Sequence, residues 1–444
     1  MQKGEYLLAR EKVGRAVGKL MLPAVLTSMI SMIYNFTDTF FIGLLRDTEQ
    51  LSALSLSMPL MWLYGTLPSL ISAGMPQVIS LKMGAGDRQG ARRAASFGVF
   101  GTLLLSALVT PLGLVFLRPA LGLMGAQGAV LEHATEYLKI ILYGMVFSTG
   151  GAMLSVLRAQ GKAQLAGIGS ALGIVVNILL DPLFILGFDM GVTGAAAATV
   201  LASLSTCVYG AIAARREFSL REANPGRETA KKMMSLSLSS CATSVLESLI
   251  VAFSFALAAG YGNGVVAAVS VGSKLYTFLC SLVWAISFSL QPLVGYNYAA
   301  RELPRLKRAL GVSLLIGTGV CLAAAAVFLL LPEPYMRLFT EDATVIWAGT
   351  KMIRYFAIGA PLLALNMSCL MLLSATGKAL RSLIAGVGRH IGILVPALFL
   401  LRHFFGMDGI ILAYPVTDIL STVLALCLCA EQARSIFGAK KALA

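Results

Sequence analysis

Asp38, Asp181, Glu247 and Asp418 each interrupt a long apolar stretch, where an ionisable side chain costs about 3 kcal/mol or more unless it is paired, hydrated or put to use. Asp38 has Tyr34 and Asn35 one helical turn away, and Asp181 has Asn177 four residues before it, so each acid shares a helix face with neutral hydrogen-bonding groups. At about 1.5 Å per residue, Asp38 falls roughly 8 Å inside the outer end of its stretch, Asp181 roughly 9 Å and Thr199 roughly 10 Å. Polar groups from three helices therefore share one depth. Asp38, Asn177, Asp181 and Thr199 are the candidate cation-coupling residues: together they offer oxygen ligands for a proton or a partly dehydrated Na⁺. Pro182, lacking an N–H, frees a carbonyl one turn back as a further ligand.

Glu247 has two readings, a second cation-binding carboxylate or one half of an ion pair with Lys274. Asp418 is expected to pair with Arg389 as a structural element. Met29, Met32 and Met61, with Tyr34 and Asn35, are candidates for the wall of a repackable substrate cavity. Other chemistry fails on context. The seven cysteines lie in apolar stretches and none occurs in the first 200 residues, which argues against a disulfide framework. His133, His390 and His403 are far apart. Gly84-Ala85-Gly86 with Gly90 lacks the preceding strand and the Lys-Ser/Thr of a phosphate-binding loop and reads as a tight turn. The expectation is a protein that is not an enzyme and uses no cofactor.

The elements that must position these residues follow from composition. The chain of 444 residues is 57% hydrophobic and only 13% charged, with mean hydropathy +0.82, which excludes soluble enzyme and nucleic-acid-binding folds. Twelve apolar stretches are long enough to cross a bilayer: 17–43, 51–78, 94–117, 137–157, 164–187, 192–214, 233–259, 265–296, 309–331, 347–373, 382–401 and 408–430. The ten-residue alternation of a membrane barrel is absent, so the class is all-α integral membrane, every span satisfying its backbone as a helix. The tail 1–19, the loops near 80–93, 158–163, 215–232, 301–308 and 378–381, and the C-terminal tail hold 26 Lys and Arg, against four in the loops of the opposite side. That bias places both termini in the cytoplasm and assigns the net charge of +14 to anionic lipid, with no nucleic-acid partner.

A shift of 216 residues aligns Pro76 with Pro292, Val78 with Val294, Arg92 with Arg308, and Gly161-Lys162-Ala163 with Gly377-Lys378-Ala379. The chain thus reads as a duplicated six-helix unit in a parallel internal repeat, with an N-lobe at 1–214, a cytoplasmic linker at 215–232 and a C-lobe at 233–444. Pseudo-symmetric halves suit alternating access. The same shift sets Ser254 opposite Asp38 and Ala397 opposite Asp181, confining the polar cluster to the first half.

Pro23 followed by YNFTDTFFIG (34–43), MGAGDRQGARRA (83–94), LRAQGKAQ (157–164), VNILLDPLFILG (176–187), GVTGAAAAT (191–199) and QPLVGYNYAAR (291–301) resemble the multidrug and toxic compound extrusion (MATE) transporters, over essentially the whole chain and nearer the bacterial DinF-like branch. The resemblance implies a secondary active exporter of amphipathic, often cationic compounds, exchanging them for H⁺ or Na⁺ across the cytoplasmic (inner) membrane of a prokaryote. It gives Asp38, Asn177, Asp181 and Thr199 the role of the family's N-lobe cation site. Glu247 matches a family acid of span seven, whereas span ten offers Asn366 where some members carry an acid. The expected partners are small substrates and the lipid bilayer, with the chain working as a monomer. The alternative is a lipid-linked precursor flippase of the same superfamily.

Overall fold

The computed structural model describes residues 3–44, 47–259, 261, 263–337 and 342–437, though not the side chains of 3, 32–40, 42–44, 48, 248, 251–252, 255–256, 258–259, 263–268, 270–271, 344, 435 and 437. Every regular element among the described residues is helical. Among the described residues eleven helical segments are apolar and long enough to cross a bilayer. The twelfth crossing is Arg227–Ala259, whose 33 residues occupy the place of span seven. Exposed stripes such as Leu104, Leu108, Leu112 and Phe116, and Leu315, Leu322 and Leu329, are what lipid rather than water selects.

Close packing divides the chain into two units, Met1–Arg10 with Leu22–Cys241 and Glu11–Met21 with Ala242–Ala444. The first contains α1 (Lys3–Ala9), most of α2 (Val13–Leu44), α3 (Thr48–Ser72), α4 (Met75–Gly84), α5 (Arg88–Leu123), α6 (Gly128–Gly144), α7 (Thr149–Ala159), α8 (Ala163–Pro182), α9 (Gly191–Ala213) and the first half of α10 (Arg227–Ala259). Its core joins Leu54, Tyr64, Leu117, Tyr137, Leu142 and Ile185. The second contains the first turns of α2, the rest of α10, α11 (Asn263–Ser289), α12 (Gln291–Ala299), α13 (Leu303–Leu330), α14 (Pro332–Arg337), α15 (Ala343–Ala375), α16 (Ala379–Val387), α17 (Val395–Phe405) and α18 (Met407–Phe437). Here α15 is central and packs on α11, α13 and α18.

Spans two and eight each comprise two helices. Span two breaks between α3 and α4 at Ala73-Gly74, because Pro76 has no N–H to continue the ladder. A Cβ on Gly74 would lie 2.3 Å from the Met233 carbonyl of α10, and the Gly74 N–H donates to Ser237 Oγ at 2.7 Å. The same break recurs at Leu290 before Pro292. The basic tail 1–19 contains α1, docked on protein: Leu8 is fully buried, and Gly4 abuts the Gln160 carbonyl so closely that a Cβ would sit 2.2 Å from it.

The repeat is visible as matched backbone. Gly161 and Gly377 have φ of +78° and +76°, their N–H groups each donate over 3.0 Å, and those of Lys162 and Lys378 each donate over 2.9 Å to the carbonyls of Leu157 and Leu373. Both are Schellman turns, which need a left-handed residue that glycine supplies at least cost. Gly86 (φ +79°) and Arg301 (φ +60°) close the same kind of turn after α4 and α12, one residue short of the 216 offset.

Candidate functional site

Helix α8 buries a single stripe toward its neighbours: Ala166, Gly169, Gly173, Asn177 and Asp181. Its first half is glycine so that α9 can approach. A Cβ on Gly169 would meet the Tyr209 ring at 2.6 Å, and one on Gly173 would meet Thr206 Oγ1 at 2.3 Å. The stripe's second half is polar. Asp181 is fully buried and Asn177 is 1% exposed. Asn177 Nδ2 stands 3.4 Å from Asp181 Oδ1 and 3.5 Å from Thr199 Oγ1 of α9. These are the longest distances at which hydrogen bonding acts, so Asn177 links its two neighbours with little rigidity.

Pro182 ends the α-helical ladder, and Leu183–Gly187 continues as a π-turn in which the Phe188 N–H reaches Leu183 O at 2.9 Å. Gly194 lies flush against that turn, a Cβ there falling 2.8 Å from Phe184 backbone, and this seating carries Thr199 to Asn177. The start of α9 is also held. Gly191 has φ +55°, and the Val192 N–H donates to Gln50 Oε1 of α3 at 2.9 Å, while Gln50 Nε2 donates to Asp47 at 2.9 Å. The bonds from the backbone and side chain of Gln50 hold the Asp47 carboxyl below its usual range.

Three of the four residues expected to form the cation site are thus brought together. The side chains of Asp38, Tyr34, Asn35 and Met32 lie outside the described residues. Of the other cavity candidates, Met29 is exposed, and Met61 is half-buried beside the core, its sulfur accepting from Tyr137 Oη at 3.4 Å. Among the described residues no group of three or more His, Cys, Asp or Glu could hold a metal ion. A Na⁺ would take its ligands from one carboxylate, an amide, a hydroxyl and backbone carbonyls, a donor set suited to a hard cation.

In the second unit the expected Asp418–Arg389 pair forms, at 2.7 Å with Asp418 1% exposed. Tyr276 Oη donates to the carboxylate, 2.9 and 3.0 Å from its oxygens, and Arg389 Nη1 donates to Ser421 Oγ at 3.0 Å. Glu247 is exposed on α10, and the charge of Arg389 reaches it. Ser254, opposite Asp38 in the repeat, accepts from Tyr414 Oη at 3.0 Å. Sequence reasoning did not find Tyr276, Gln50 or the setting of Arg158. Counted with the loop 158–163, Arg158 belongs to the last turn of α7 and lines a cavity.

Residues 23–183 and again 239–398 match the MatE family profile. The chain belongs to the MatE family. The two matched segments of this MatE chain begin 216 residues apart, the offset of its internal repeat. It is 25% identical over 428 residues to the multidrug export protein MepA of Staphylococcus aureus (strain NCTC 8325 / PS 47), covering 95% of this chain and 94% of that one. MepA of Staphylococcus saprophyticus is 24% identical over 427 residues, with the same coverage of 95% and 94%. Its fold is that of a multidrug resistance MATE family transporter of the MOP superfamily in an outward-facing conformation, with TM-score 0.92, 24% identity and 99% of both chains covered. It is equally that of a MOP superfamily transporter from Pyrococcus furiosus, with TM-score 0.91, 23% identity and 98% and 99% coverage. As a MatE protein the chain is a membrane transporter, not an enzyme, and needs no cofactor.

Proposed function

We propose that the protein exports small amphipathic, often cationic compounds across a bacterial cytoplasmic membrane in exchange for H⁺ or Na⁺, by alternating access. The relatives named as multidrug exporters support the cargo class. The observation that carries the coupling is Asp181, fully buried beside Asn177 and Thr199 at a proline-broken helix. A carboxylate at that depth is stable when neutralised by a proton or a cation and costly when bare, which makes its loading and unloading an energy-coupling step. Asp38 is proposed as the second acid of this site. Residues 1–214 and 233–444 would act as the two lobes, joined by 215–232, with both termini cytoplasmic and the single chain as working unit.

The test is dye efflux from proteoliposomes under separately imposed pH and Na⁺ gradients. Wild type should export uphill on one or both. Asp181→Asn keeps volume and hydrogen-bonding capacity but cannot cycle charge, and should lose uphill export at least about tenfold, equivalent to about 1.4 kcal/mol, with its melting temperature near wild type. Undiminished export by Asp181→Asn would overturn the coupling role. A fluorescent lipid headgroup moved without gradient-driven dye efflux would instead identify a flippase.

A further inference from the structure

Away from the Asp181 cluster, the first unit holds a cavity of about 290 Å³ between α3, α5 and α7, lined among others by Ser69, Ser72, Thr102, Ser148, Ser155 and Arg158. That volume sits at the lower end of small-molecule sites. No carboxylate lines it. Most of its hydroxyls are already spent as donors: Ser69 to Thr66 O at 2.6 Å, Thr102 to Gly98 O at 2.8 Å and Ser155 to Gly151 O at 2.9 Å. Two groups are not spent. Ser72 is only 9% exposed, and its side-chain hydroxyl makes no hydrogen bond among the described residues. Arg158 donates from Nη2 to Ser155 Oγ at 2.9 Å and has no acidic partner among the described residues, although it carries five N–H donors.

Arg88, Arg92 and Lys162 of this unit pair with Glu5, Glu222 and Glu217, and Arg158 forms no such pair among the described residues. The carbonyl end of α7 offsets part of Arg158's charge, yet the guanidinium fork of this exposed residue borders a cavity whose wall also carries the unbonded Ser72 hydroxyl, which leaves both open to a ligand. We propose that this cavity binds an oxyanionic group, a carboxylate or phosphate, held by Arg158 and Ser72. The shared chemistry is that of a bidentate acceptor meeting a planar fork. Its source is either a small organic anion or the headgroup of an anionic lipid. The site rests on residues other than those of the proposed cation coupling and stands or falls separately.

Purified full-length protein in non-ionic detergent, titrated with benzoate and with phenyl phosphate, should melt at a higher temperature in a saturable manner. The lipid arm uses phosphatidylcholine nanodiscs with and without phosphatidylglycerol. Arg158→Gln should weaken the responsive probe's binding about 10- to 100-fold, Ser72→Ala about 3- to 10-fold, and Arg158→Lys should fall between wild type and Arg158→Gln. Saturation by the free anions, lost in Arg158→Gln, assigns a solute. A response to phosphatidylglycerol alone, lost in the same variant, assigns a headgroup. No response to any probe, or equal responses in wild type and Arg158→Gln, overturns the proposal. Should Arg158→Gln not fold, Ser72→Ala carries the decision. Affinity for a cationic dye should be the same in all these variants, which keeps the result distinct from failure of the export reading.

Discussion

Replacing Arg389 by Met removes the cation from a carboxylate that is 1% exposed and whose other hydrogen-bond partner is the Tyr276 hydroxyl. Replacing Asp418 by Asn strands a guanidinium whose side chain is 12% exposed. Breaking a buried pair from either side costs about 3–5 kcal/mol, because what is left is an uncompensated charge. Independent sites would then add to about 6–10 kcal/mol in the double variant. The pair is instead one unit: with both charges gone, Asn still bonds Tyr276, Met fills much of the guanidinium's space, and the double cost should be about 2 kcal/mol or less. Gly359 forbids a bulkier remedy, since its Cβ position is 2.4 Å from Asp418 Oδ2. For a unit of about two hundred residues each kcal/mol is worth about 2–4 °C. Each single variant should therefore melt about 6–20 °C below wild type in detergent, and the double variant should regain most of that, with normal export. Singles that lose less than about 2 °C, or a double no better than its worse parent, would refute a structural pair.

Gly173→Ala sets a methyl 2.3 Å from Thr206 Oγ1 and should cost about 1–3 kcal/mol through overpacking, against about 1 kcal/mol gained in helix propensity. It should also impair export by parting α8 from α9 at Asn177 and Thr199, whereas Gly319→Ala, where nothing lies within 4 Å, should melt no lower than wild type. Arg301→Gly relieves a non-glycine residue at φ +60° and should raise stability by about 0.5–1 kcal/mol, measured by thermal melting.

The crossings were legible because a span must be about twenty apolar residues long whatever surrounds it, and the repeat because its turns reuse glycine at Gly161 and Gly377. The breaks before Pro76 and Pro292 were not, since the pieces on either side remain apolar and hydropathy does not register one missing N–H. At Asp181, the spacing to Asn177 followed from helical periodicity, and the depth match to Thr199 from counting. The means by which α9 is seated was invisible: Gln50 lies 142 residues from Val192 and nothing local marks it. The Asp418–Arg389 pair joins adjacent spans and was foreseeable, while Tyr276, 142 residues from Asp418, was not. Arg158 escaped notice because a basic residue at a span's end reads as a loop charge, and only the packing of α3, α5 and α7 gives it a cavity to face.

The central claim is that Asp181, with Asn177 and Thr199, binds the coupling cation in competition with cargo. The most direct measurement is the equilibrium affinity of the purified protein for a fluorescent amphipathic cation between pH 5 and 9, with and without Na⁺. Linkage requires that cation and cargo weaken each other equally, so affinity should fall about 5- to 150-fold on acidification or on adding Na⁺, and Asp181→Asn should abolish the dependence. An affinity indifferent to both cations, or a dependence that survives in Asp181→Asn, would contradict it.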